Sequence, residues 1–114
     1  MQHEMKIKAI YFDKIKNGEK VYEVRLNDEK RRLMKIGDDL ILKREPEQIV
    51  TLHLKIKNLL YFKSFQAMAA ILPAEQIGFA GMNHQAIVDV YHEFYTPANE
   101  EKFGVVAIQV EESL

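Results

Sequence analysis

Lys20, Glu23 and Arg25 place an ammonium, a carboxylate and a guanidinium within six residues, directly behind Gly18 and Glu19. Groups of this kind recognise a polar ring or a phosphate through charge-assisted hydrogen bonds, and a lysine beside a carboxylate is also a proton-transfer pair. If residues 20–26 form a strand, Glu23 and Arg25 share one face about 7 Å apart, a spacing that flanks a ligand more naturally than it lets the two clasp each other. Lys20 has the opposite parity and joins them only if the turn after Gly18 breaks the alternation. On spacing alone the cluster reads as a solvated strand face. A second basic run, Lys30-Arg31-Arg32, lies in a densely charged stretch and reads as a solvated loop able to steer a polyanion.

Other chemistry finds little support. There is no cysteine, which excludes disulfides, thiolate metal sites and a cysteine nucleophile. Glycine-rich phosphate loops, His-Glu-x-x-His and Gly-x-Ser-x-Gly are absent. His84 and His92 lie eight apart on an expected helix, with Val88 between them on that side and no carboxylate, so no metal and no cofactor is expected. His53, on a polar strand face, and His3, ahead of the first expected strand, read as surface residues. Tyr61-Phe62, Tyr91 and Phe94 read as core. Tyr95 stands apart, because it falls at a helix end beside the Thr96-Pro97 turn.

The elements that must position these groups are short and mixed. Tyr11, Phe12 and Ile15 predict a helix over 9–17 that stops at Gly18. Residues 20–26 alternate, with Tyr22, Val24 and Leu26 opposed to Val21, Glu23 and Arg25, as in a half-buried strand. Gly37-Asp38 turns the chain into an apolar strand, Leu40-Ile41-Leu42, closed by Pro46. Residues 49–60 alternate again, with Val50, Leu52, Leu54 and Ile56 on the core side. Ser64, Asn83 and Thr96-Pro97 are helix starts, the second leading a stripe of Ala86, Ile87, Val90, Tyr91 and Phe94. Gly104 precedes an apolar strand over 105–110 that is expected to close the sheet. Strands with helices inserted irregularly between them indicate an α+β domain on a mainly antiparallel sheet, in the form of a small barrel.

With 114 residues the chain is expected to be one domain, 1–114, and its 47% hydrophobic and 29% charged residues are those of a folded globule. The net charge is −1, yet 12 of the 16 Lys/Arg and only 9 of the 17 Asp/Glu lie within residues 1–45. A basic face for a phosphate-bearing partner fits that asymmetry. No apolar run reaches the ~20 residues of a membrane span, and the start of the chain lacks a signal-peptide layout, so no membrane association and a cytoplasmic location are expected.

Taken together, His3-x-Met5-Lys6, Phe12-x-x-Ile15-x-x-Gly18-x-Lys20-x-x-Glu23-x-Arg25-Leu26-x-Asp28-x-Lys30-Arg31 and Ile36-Gly37-Asp38 resemble the ASCH domain family of PUA-like barrels. Phe62-x-Ser64-Phe65, Gly78-Phe79, Tyr95 and Lys102-x-Gly104-Val105-Val106 are similar to the rest of its bacterial single-domain members. The resemblance implies a small PUA-like β-barrel with flanking short helices. It also implies a cleft into which Lys20, Glu23 and Arg25 project, holding RNA or a modified nucleoside. Lys30, Arg31 and Arg32 would add a salt-dependent contribution, and Tyr95 completes the expected ligand-binding set. Some relatives are amidohydrolases that deacetylate N4-acetylcytidine, and others are nucleases. The amidohydrolases share Gly18 and Lys20 but carry threonine where Glu23 stands and an acid where this chain has Ala80-Gly81-Met82-Asn83. In the alternative, hydrolytic reading, Lys20 polarises or attacks the scissile group, Glu23 moves the proton and Arg25 holds the leaving nucleoside.

Overall fold

The computed structural model describes residues 1–113. Five strands, β1 (Gln2–Ile7), β2 (Tyr22–Leu26), β3 (Asp39–Arg44), β4 (Thr51–Phe62) and β5 (Val105–Glu112), form one sheet in the order β1-β3-β4-β5-β2. The β1–β3 pair is parallel and the other three are antiparallel. The sheet curls into a half-barrel. Five helices flank it: α1 (Ala9–Lys16), α2 (Glu29–Arg32), α3 (Phe65–Ile71), α4 (His84–His92) and α5 (Pro97–Phe103), with a 3₁₀ turn at Ala74–Ile77.

Local chemistry accounts for the element starts. The side chains of Ser64, Asn83 and Thr96 accept from the backbone N–H three residues on, at Ala67, Ala86 and Asn99, and Asp28 does the same for Arg31. Each supplies an acceptor to one of the first-turn N–H groups that a helix leaves unpaired, a contribution of about 1 kcal/mol. The Lys30-Arg31-Arg32 run is therefore the body of a short capped helix, not the loop that its charge density suggests.

The core lies on both faces of the sheet. Leu40, Leu42, Leu54 and Ile56 pack with Phe12 and Ile15 of α1 on one side, while Val24, Leu26, Phe65, Met68 and Ile87 pack on the other. β5 feeds both clusters, Val106 and Ile108 going to the first and Val105 and Ala107 to the second. A strand with four successive apolar residues, Val105 to Ile108, needs cover on both faces. This places 105–110 inside the sheet between β4 and β2, so the expectation that it closes the sheet is corrected: the open edges are β1 and β2.

Three side chains assigned to the core lie outside it. Val50 is 49% exposed because the ladder of β4 begins one residue later, Tyr61 is 61% exposed on the far side of a bulge between Ile56 and Asn58, and Phe94 is 55% exposed beyond the end of α4. His3 is likewise reassigned. It sits within β1, its ring nearly covered, with Nε2 2.8 Å from Asp38 Oδ2.

Candidate functional site

The open edges of the half-barrel meet at one residue. Arg25 on β2 donates from Nη2 to the Lys6 carbonyl of β1 at 3.0 Å, a single bond across a seam that no strand ladder closes. Beside that bond lies a cleft of about 200 Å³. Lys6 to Lys8 and Glu23 to Arg25 form its strand walls, Tyr11 and Phe79 close one end, and Tyr91, Phe94 and Tyr95 cover it from α4 and the turn that follows.

The floor is an interlocked set of three charges. Glu23 Oε2 accepts from both Nε (3.0 Å) and Nη2 (2.7 Å) of Arg25, and Glu23 Oε1 lies 3.1 Å from Lys20 Nζ. Glu23 and Arg25 thus clasp each other, contrary to the spacing argument, because a long guanidinium spans the 7 Å between alternate strand positions. Lys20 shares their space despite its parity. It precedes the first ladder residue of β2, and its N–H is drawn back to the Lys14 carbonyl of α1, so the strand alternation does not apply to it. Its Nζ also donates to the carbonyls of Tyr22 and Ile77, so the ammonium is held by two carbonyls and a carboxylate.

Lys20 and Glu23 are 3% and 7% exposed, so the cluster is not the solvated face that spacing suggests. Burial lowers the Lys20 pKa, with Glu23 opposing it. Burial by itself would raise that of Glu23, but Lys20 and Arg25 together outweigh it and hold the carboxyl below its ordinary value. For Arg25, burial is outweighed by Glu23 and the guanidinium pKa is raised. The shifts of Glu23 and Arg25 both favour their charged forms, so the two stand as a buried ion pair with Lys20 against it. Arg25 Nη1 makes no hydrogen bond among the described residues and is left for an acceptor that enters from outside.

The aromatic cover is equally ordered. Phe65 stacks between Tyr91 (4.5 Å) and Tyr95 (5.5 Å), and Phe79 meets Tyr11 and Tyr91 edge-on at 5.5 and 5.6 Å. Burial pushes the hydroxyls of Tyr11, Tyr91 and Tyr95 above their usual pKa, so they remain neutral donors at pH 7. Glu100 supports this layer from below. It is 8% exposed, its Oε2 accepts from the Phe65 N–H at 2.7 Å, and its Oε1 lies 2.8 Å from His92 Nε2.

Of the seven residues singled out from the sequence, Lys20, Glu23, Arg25 and Tyr95 line the cleft. Lys30 and Arg31 border a neighbouring groove, whereas Arg32 turns aside: its Nε donates to the Asn27 carbonyl and its guanidinium sits over Phe103. Sequence reasoning missed Ile77, whose carbonyl is set by a 3₁₀ turn with no periodic signal, and Tyr11, Phe79 and Phe94 as cleft walls. Gly78-Phe79 was the available sign, since Gly78 adopts φ +94° directly against Lys20. Among the described residues no three His, Asp or Glu side chains gather as metal ligands, and no helix is long and apolar enough to cross a membrane.

A half-barrel with a charged floor at its seam and an aromatic cover defines a PUA-like class of domain. The ASCH domain model matches residues 5–113, and the chain belongs to the ASCH family, which as a family is associated with RNA binding. The chain is similar to the archaeal hypothetical protein PH0355, known from a crystal structure, at 36% identity and a TM-score of 0.86, covering 99% of this chain and 100% of that one. It is also similar to protein PF0455 from Pyrococcus furiosus, known from a solution NMR structure, at 32% identity and a TM-score of 0.72, covering 98% and 97%. No curated protein matches the chain.

Proposed function

We propose that residues 1–114 act as a single ASCH module that binds a nucleobase of RNA, or of a modified nucleoside, in the seam cleft, within the cytoplasm. The observation that carries this reading is the pairing of a fixed guanidinium with an aromatic cover. Arg25 is held in plane by two bonds to Glu23 with its Nη1 unbonded, while Tyr95, Tyr91 and Phe94 line the same cleft beside it. Base stacking on aromatic side chains contributes about 1–3 kcal/mol per base, and a charge-assisted hydrogen bond adds direction. Lys20 and Glu23 serve by holding Arg25 and the floor rigid. Lys30 and Arg31 supply a salt-dependent attraction to the RNA strand, whereas Arg32 is held against Asn27 and Phe103.

The hydrolytic alternative has less support. A lysine tied to two carbonyls and a carboxylate is not free to swing toward a scissile group, and a carboxylate held below its ordinary pKa by two cations is a weak base. Amide-shift titration of the labelled protein with short single-stranded RNAs and with N4-acetylcytidine, the products followed by mass spectrometry, tests both readings. Shifts grouped at Tyr11, Lys20 to Arg25 and Tyr91 to Tyr95 without product are expected. Binding that is unaltered in Tyr95→Ala and Arg25→Ala overturns the binding site, and released acetate moves the assignment to the hydrolase.

A further inference from the structure

We infer that the ligand of the cleft carries a phosphate, and that this phosphate lies in a separate basic groove beside the seam, between Lys6, Lys30, Arg31 and Lys43. The inference rests on the nucleobase reading and extends it from a base to a phosphorylated nucleotide.

Size is the first ground. At about 200 Å³ the cleft falls below the ~300–1,000 Å³ usual for whole small-molecule sites, so it admits one ring system and leaves the remainder of a nucleotide outside. The remainder has one built neighbour. A second concavity of about 340 Å³ shares Lys6 and Arg25 with the cleft and is otherwise bordered by Glu4, Met5, Lys30, Arg31 and Lys43. Five cations and one carboxylate therefore face a space that opens directly from the base site.

The charges there are under-compensated. Glu4 pairs with Lys43 at 3.2 Å and Asp28 with Arg31 at 3.5 Å, while Lys6 and Lys30 have no ion-pair partner among the described residues. Lys6 and Lys43 are moreover direct partners across the parallel β1–β3 ladder, which puts two ammonium groups on one face at neighbouring strand positions. Like charges directly opposite each other destabilise a sheet, and Glu4 answers only Lys43, which leaves the Lys6 ammonium without a counter-charge there. A phosphate is the anion that fits, because Arg31 adds a guanidinium at the same groove and every nucleotide places a phosphate one sugar away from its base. Nothing in the sequence pairs Lys6 with Lys43, since they come from two strands separated by more than 30 residues.

The test measures affinities by calorimetry on the full chain for the four ribonucleosides, their 3′ and 5′ monophosphates and a single-stranded hexauridylate. At least one phosphorylated form is expected to bind tenfold or more tightly than its nucleoside. In Lys6→Gln/Lys43→Gln that ratio falls toward one, while Lys63→Gln, on a distant exposed lysine, keeps it. A ratio seen already with the monophosphates makes a free nucleotide sufficient. A ratio seen only with the hexamer assigns the phosphate to a strand, whose slope of log K against log salt then falls by about 0.7 for each charge removed. Equal affinity for nucleosides and all phosphorylated forms overturns the phosphate groove and leaves the base cleft standing. Phosphate-dependent binding that Tyr95→Ala does not weaken overturns the cleft and leaves the groove. No binding of any probe overturns both.

Discussion

Lys20 Nζ lies 3.1 Å from Glu23 Oε1 and 3.0 Å from the Ile77 carbonyl, so one ammonium ties the entry of β2, its carboxylate and the 3₁₀ turn together. Removing it leaves a buried carboxylate half-paired and two carbonyls without their donor. Lys20→Met is expected to cost about 3 kcal/mol, toward the lower end of the range for breaking a buried ion pair, because Arg25 still holds Glu23. Urea denaturation measures it. In Lys20→Met/Glu23→Gln the loss should be smaller than the sum of the two single losses, since each single variant strands the other's charge. Full additivity would show that the two groups do not depend on each other.

Gly78 is the second support of Lys20. A Cβ at this position would stand 3.0 Å from Lys20 Cδ and 3.3 Å from Tyr11 Cδ1, on a backbone with φ +94°. Gly18 has nearly the same conformation, φ +87°, with nothing within 4 Å. Both Gly→Ala changes carry the left-handed penalty of roughly 1–2 kcal/mol. Gly78→Ala alone also displaces the lysine stem and the Tyr11 ring. The expected result is a lower Tm for Gly78→Ala than for Gly18→Ala, with ring-proton shifts at Tyr11 that the Gly18 variant lacks.

Asp38 is one of four carboxyls among the described residues that the fold holds below their ordinary pKa, with Asp13, Glu23 and Asp39. The His3 ring beside it, together with the Lys35 N–H, holds its carboxyl down from the usual 3.8 to about 2. A depressed carboxylate stabilises the fold above its unfolded pKa, and that contribution disappears as the pH falls through the folded value. The wild-type protein is therefore expected to lose stability between about pH 4 and pH 2, and Asp38→Asn to start lower at pH 7 but to lose less across that window. Thermal melts followed by circular dichroism from pH 7 to pH 2 check it, and parallel curves for the two proteins would contradict the assignment.

Much of the fold is legible in local chemistry. The caps at Ser64, Asn83 and Thr96, the stop at Gly18, the alternation of Leu52, Leu54 and Ile56 and the apolar run from Val105 depend on neighbours a few residues away. Periodicity and capping are properties of short segments, which is why they survive in the sequence. The same locality explains the errors. The position of β5 in the sheet, the exposure of Val50 and Phe94, and the separation of Arg32 from Arg31 depend on what covers each segment from elsewhere.

The candidate site divides in the same way. Lys20, Glu23 and Arg25 can be named from the sequence because their charges stand close together on one short stretch, and the likeness to the ASCH family marks the same residues. Their geometry cannot be named there. That Glu23 is clasped rather than open, that Lys20 faces it across the strand parity, and that Arg25 bridges to the Lys6 carbonyl all follow from the curl of the sheet. The curl brings the two unpaired edges, 19 residues apart at Arg25 and Lys6, to one seam. By itself the sequence determined which charged groups the protein holds together; the tertiary structure decided which are buried and which remain free, because burial and long-range hydrogen bonding are set by the whole sheet.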